Sequence, residues 1–167
     1  MISIRLKIGF EKVVDVAAQL KFLFDKYELP FYCKTSGSRG IHIYLPVEPV
    51  YSYEQVQNFA KLLETIVHNQ MKDITSFVRN PNERRGRVYL DFLQNAKGKT
   101  MSSVYSIRPK PGATVSTPIR WQELNKKLNP ADFTLFSVRD RIAKYGDVWE
   151  GFFDNRINLG KVLGRMG

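Results

Sequence analysis

Twice within the first seventy residues the apolar spacing switches from two to about 3.6, and that alternation limits the folds open to the chain. Residues 2–8, ISIRLKI, alternate apolar and polar, which predicts a strand. Phe10, Val13, Val14, Ala17, Leu20, Phe24 and Tyr27 then recur at helical spacing and predict an amphipathic helix over residues 10–27. Pro30 ends it, and FYCKT predicts a second strand. The turn Ser36 to Gly40 leads into IHIYLPV, an alternating third strand, so the two form a hairpin with a loop longer than the tightest type. Ser52 with Gln55 three residues later is a capping-box signature. Behind it Val56, Phe59, Ala60, Leu63 and Val67 predict a second helix closing near Gln70.

Beyond that point the signals shorten. NPNERRGR is a polar loop, VYLDFL a clear strand, NAKGKT a loop and MSSVYSI a further expected strand. RPKPGATVSTP is too rich in Pro and Gly for either regular state. The tail reads as short helical pieces: WQELNKKL, SVRDRIAKYG with Gly146 as its C-cap, and a weaker piece after Asn155. Neither a repeat nor a linker divides the chain. The expectation is one α+β domain over residues 1–167, with two helices against one face of a mixed or antiparallel sheet.

A length of 167 residues suffices for one well-buried core. No apolar run approaches the length of a bilayer span, and Arg5 and Lys7 make the opening MISIRLKIGF a poor signal peptide. The lone cysteine rules out an internal disulfide and suits a reducing cytoplasm. Within the apolar PFYCKT, Cys33 reads as a buried structural thiol. Charge is more specific: 26 Lys and Arg against 16 Asp and Glu leave a net +10. Residues 79–120 hold nine basic residues and two acidic ones, and so supply seven of those ten charges. A polyanionic partner is implied, nucleic acid rather than membrane, because no basic amphipathic helix stands out.

Strand parity locates candidate chemistry. In IHIYL, Ile41, Ile43 and Leu45 share one face, His42 and Tyr44 the other. In VYLDFL, Val88, Leu90 and Phe92 share one face, Tyr89 and Asp91 the other. With both aliphatic faces under the helices, His42 and Asp91 emerge on the open side of one sheet. There they suit either a metal–nucleotide site or, residue by residue, a structural histidine and a paired surface acid. Glycines in SGSRG let backbone N–H groups approach phosphate oxygens, with Ser36 and Arg39 adding donors and Arg108 available as a clamp. The pattern is not a Walker loop, which needs Gly-Lys-Ser/Thr opening a helix.

Four blocks, KTSGSRGIHIYLPV, RVYLDFLQNAKGKT, SSVYSIRPKPGATVSTPIRWQEL and DFTLFSVRDRIAKYGDVWEGF, together resemble the polymerase domain of bacterial DNA ligase D. That family lies within the archaeo-eukaryotic primase superfamily, and the similarity runs in order from about Phe10 to Phe153. The resemblance implies a primase-polymerase (RRM-like) catalytic subdomain that adds nucleotides to DNA ends and gaps in non-homologous end joining. It implies that Ser36, Arg39 (where the family usually has Lys) and His42 bind a nucleoside triphosphate's phosphates. Arg108 joins them there, and Asp91 is the metal-binding catalytic carboxylate for Mn²⁺ or Mg²⁺. The basic Arg84, Arg85, Arg87, Lys97 and Lys99 are expected to contact DNA.

The resemblance breaks at the first strand. The family carries an Asp-x-Asp pair there, which with the third carboxylate holds two metals. Aligned without gaps, the pair falls near Met1 and Ser3; with a short deletion it falls on Arg5 and Lys7. Neither supplies an acid. Asp91 alone is expected to hold a metal only weakly, through the nucleotide's own phosphates. The chain is also expected to lack the family's N-terminal part and to be the C-terminal part of a primase-polymerase fold. Two readings follow: a polymerase module completed by a separate ligase, nuclease or N-terminal companion polypeptide, or an inactive module that binds nucleotide or DNA ends.

Overall fold

In the computed structural model, which describes residues 1–5 and 9–167, six strands form one mixed sheet. Strand β1 (Ile2–Arg5) runs antiparallel between β3 (Gly40–Tyr44) and β5 (Val88–Leu90). Beyond β3 come β2 (Tyr32–Thr35) and the edge strand β6 (Pro118–Ile119), both antiparallel to their neighbours. Pro118 belongs at such an edge because it has no N–H to donate onward. At the opposite edge β4 (Thr75–Ser76) pairs parallel to β5. The expected first strand thus holds over residues 2–5, and its last three residues lie outside those described.

Helices α1 (Phe10–Lys26) and α2 (Tyr53–Gln70) form where the 3.6 spacing predicts them. Ser52 Oγ accepts from Gln55 N at 3.2 Å while Ser52 N donates to Gln55 Oε1 at 2.8 Å, so the capping box is complete. The aliphatic face of the sheet, with Ile2, Ile4, Ile41, Ile43, Val88 and Leu90, joins Val13, Ala17, Leu20 and Phe24 of α1 in the core. Phe59, Leu63 and Val67 of α2 complete the same cluster. Cys33 is buried in it, and burial pushes its thiol up, away from the thiolate. α1 lies on β1, β3 and β5, and α2 packs on α1 and on the 3-10 turn Phe92–Gln94.

Three expected elements are corrected. The strand over VYLDFL stops at Leu90, because Asp91 N donates to Ser3 O and the chain then tightens into the 3-10 turn. MSSVYSI is not a strand: Tyr105 takes a positive φ of 59°, and only Ile107 makes an isolated bridge, to Val115. WQELNKKL holds a single 3-10 turn, Trp121–Glu123. The tail does form α3 (Leu135–Tyr145), ended by Gly146 at φ 66°, and α4 (Leu159–Met166). No helix among the described residues is long and apolar enough to cross a membrane.

Candidate functional site

The register of the three central strands builds the site. Ser3 and Lys34 both stand opposite His42, Arg5 stands opposite Gly40 and Tyr89, and Tyr32 opposite Tyr44. Because side chains alternate, all of these project from the face away from the helices. One half of that face is covered: Trp149 and Phe152 stack at 5.4 Å and meet Tyr32 and Tyr44 edge-on, and Trp149 Nε1 donates to Cys33 O at 3.1 Å. The other half opens as a cleft of about 670 Å³ lined by Arg5, Arg39, Arg79, Arg84, Arg108 and His42.

The Gly-rich turn is explained by what it touches. Gly37 has φ +65°, and a Cβ there would lie 2.5 Å from Arg108 Cγ and 2.9 Å from Ser116 N. A Cβ on Gly40 would lie 2.5 Å from Ile4 O and 2.9 Å from Arg5 Cβ. The two glycines therefore let the turn pack directly against Arg108 on one side and the strand carrying Arg5 on the other. Two of the turn's N–H groups, of Ser38 and Gly40, donate to Ser36 Oγ at 3.2 and 3.1 Å, which leaves the Ser36 hydroxyl proton free to be offered to a ligand.

Beneath this rim Lys34 is buried, its Nζ donating to Ser102 O at 2.9 Å and to Ser116 Oγ. Burial, then the charge of Arg108, lowers its ammonium to about 8. Burial, then the charges of Lys34, Arg108 and Arg5, pulls His42 down to about 3, so its ring is neutral at pH 7. His42 Nδ1 and Arg108 Nε are buried with no hydrogen-bond partner among the described residues. A neutral imidazole and a guanidinium with unspent donors form a surface that can bind an anion from several directions.

Of the sequence-predicted residues, Ser36, Arg39, His42, Arg84 and Arg108 are brought together in the cleft. Arg84 is buried there, donating to Arg79 O at 2.9 Å and lying over the Tyr89 ring at 4.5 Å. Arg85, Lys97 and Lys99 are exposed outside it, and Arg87 is half-buried with Nε donating to Arg84 O at 3.1 Å. Sequence reasoning missed Arg5, Arg79 and Lys34 as site residues. Parity could have found two of them, since Arg5 shares a face with Ser3 and Lys34 lies opposite His42. Lys7 lies outside the described residues.

Asp91 does not line the cleft. Its Oδ2 accepts from Arg5 Nη2 at 3.2 Å and Gln94 Nε2 at 3.4 Å, and its Oδ1 accepts from the Tyr89 hydroxyl at 3.2 Å. The divalent metal that the resemblance implies does not fit these residues. A metal needs anionic oxygens with free lone pairs, and this carboxylate is turned to a guanidinium. Among the described residues no group of three or more His, Cys, Asp or Glu could hold an ion.

Three of the blocks that carry the resemblance contribute to this cleft, through Ser36 to His42, Gln94 and Thr100, and Ser102 and Arg108. A family model for the LigD primase-polymerase domain matches residues 6–149. The bifunctional non-homologous end joining protein LigD of Bacillus subtilis is 36% identical over 147 residues, 87% of this chain and 24% of that protein. The multifunctional LigD of Pseudomonas aeruginosa is 28% identical over 153 residues, 90% of this chain and 18% of that protein. The polymerase domain of Mycobacterium tuberculosis ligase D, solved in complex with DNA, superposes with a TM-score of 0.81 at 26% identity. It is matched over 93% of this chain and 55% of its own. With the family model matching most of its length, and with the same fold over 93% of the chain, this chain belongs to the LigD primase-polymerase domain family.

Proposed function

We propose that the chain is a primase-polymerase module of non-homologous end joining that takes up a nucleoside triphosphate and a DNA end for nucleotide addition at ends and gaps. The observation that carries this reading is the arginine-lined cleft beside the Ser36–Gly40 turn, in a member of this family. Ser36, Arg39, His42 and Arg108 hold the triphosphate, and Arg84 supports it from the cleft wall. Exposed Arg85, Lys97 and Lys99, with Arg87, track the phosphates of the DNA, as the DNA-bound state of the Mycobacterium tuberculosis domain supports. The first strand and the residues after it, Met1 to Ile8, carry no acid where the family has its Asp-x-Asp pair. The carboxylates that nucleotidyl transfer still requires are therefore supplied from outside these residues, a companion polypeptide being one source.

The test is calorimetric titration of ATP, alongside extension of a primed, gapped, 5′-phosphorylated duplex with Mn²⁺. The expected result is ATP binding that Arg108→Ala and His42→Ala each weaken by about tenfold, with no extension by the chain alone. ATP affinity unmoved by both substitutions overturns the assignment of the cleft. Extension that Asp91→Ala abolishes overturns the need for a companion.

A further inference from the structure

We propose that the Arg5 guanidinium stands where a divalent cation would otherwise sit, so that this cleft binds a polyphosphate chain without a metal. The inference rests on the triphosphate reading above and concerns how the chain by itself binds that ligand, before any carboxylates for nucleotidyl transfer are supplied.

The geometry builds Arg5 into the site. It leaves β1 on the open face, beside Gly40 of the phosphate turn and across from Tyr89 of β5. Its guanidinium lies over the Tyr89 ring at 5.1 Å, and Arg84 lies over the same ring at 4.5 Å, so one aromatic ring holds two cations in place. Arg5 also pairs with Asp91, whose side chain is only 5% exposed while that of Arg5 is 48% exposed. The buried acid is therefore spent on fixing an arginine that itself lines the cleft. A metal entering here would meet five guanidinium groups and no free carboxylate.

The same arrangement favours the bare ligand. Five arginines line the cleft with no acid among its lining residues, and Asp91 behind Arg5 is already paired. A metal-free triphosphate carries more negative charge than its metal complex and keeps all its oxygens open to bidentate guanidinium contacts. The unpartnered Arg108 Nε and His42 Nδ1 supply further contacts at the same rim.

The experiment titrates ATP, and separately inorganic tripolyphosphate, into the unaltered protein in EDTA and again with excess Mg²⁺. Affinity in EDTA is expected to equal or exceed that in Mg²⁺. Arg5→Ala is expected to weaken the EDTA affinity by about tenfold, and Arg5→Lys by less, with both variants checked for folding by thermal melting. The metal comparison needs no variant, so a misfolded Arg5→Ala protein leaves the test intact. Binding that requires Mg²⁺ but is still lost in Arg108→Ala overturns this inference while leaving the nucleotide reading standing. No binding in either condition overturns both.

Discussion

Gly37 shows how much a single missing atom contributes. Its positive φ and the 2.5 Å that a Cβ would leave to Arg108 Cγ mean that Gly37→Ala must strain the turn or displace the arginine. The variant is expected to lose about 1–3 kcal/mol of stability and, at the same time, most of its ATP affinity, read by chemical denaturation and by titration. Glu64 is a second case, fully buried on α2 with Oε2 accepting from Phe92 N at 3.1 Å. Burial, then the charge of Asp91, raises its carboxyl well above the ordinary range. A carboxyl whose folded value is raised contributes stability that is present below its unfolded value of 4.5 and is lost as pH rises through the folded value. Glu64→Gln keeps the acceptor and removes the titration. The variant is therefore expected to gain on the parent as pH is raised from 5 to 8, seen as a growing difference in urea midpoints; a constant difference sinks this account.

At the level of elements, helices follow local rules and the short strands do not. The Ser52–Gln55 box opens α2 as spacing alone predicts, and Ser52→Ala is expected to cost about 1 kcal/mol in denaturant unfolding. The Arg141–Glu123 pair is less local. Arg141 of α3 grips both oxygens of Glu123 and also donates to Pro118 O at 3.3 Å, tying α3 to the edge strand β6. With both partners mostly shielded, Arg141→Ala is expected to cost about 2 kcal/mol and to loosen β6, visible as faster amide exchange at Ile119. β4, of two residues, carries no periodicity to read. The expected strand over MSSVYSI failed because the chain turns within it, Ser106 N donating to Ser103 O and Tyr105 taking a positive φ, so only scattered bonds such as Tyr105 N to Ser116 O reach the neighbouring segment. No residue from Met101 to Ile107 is buried, so the alternation there marks no core-facing side.

On the scale of the whole molecule, charge is divided between two surfaces. Arg5, Arg39, Arg79, Arg84 and Arg108 converge on the cleft, while Arg85, Lys97 and Lys99 stay outside it. Replacing Arg85, Arg87, Lys97 and Lys99 together by Ala is expected to weaken DNA binding and flatten its salt dependence, by about 0.9 in the log–log slope for each phosphate no longer neutralised. ATP affinity should change little, and an equal loss of both would merge the two surfaces into one. The sequence by itself determined the strand–helix–hairpin–helix order, the parity that sends His42 to the open face, the positive balance and the lack of acids on the first strand. All of these depend on spacing along the chain or on composition. Only the tertiary structure decided that Arg5 closes onto Asp91, that Lys34 lies buried beneath the turn, and that residues as far apart as 5 and 108 share one cleft. Those outcomes depend on which strands become neighbours and in what register, and that is settled by burying one continuous apolar face rather than by any local pattern.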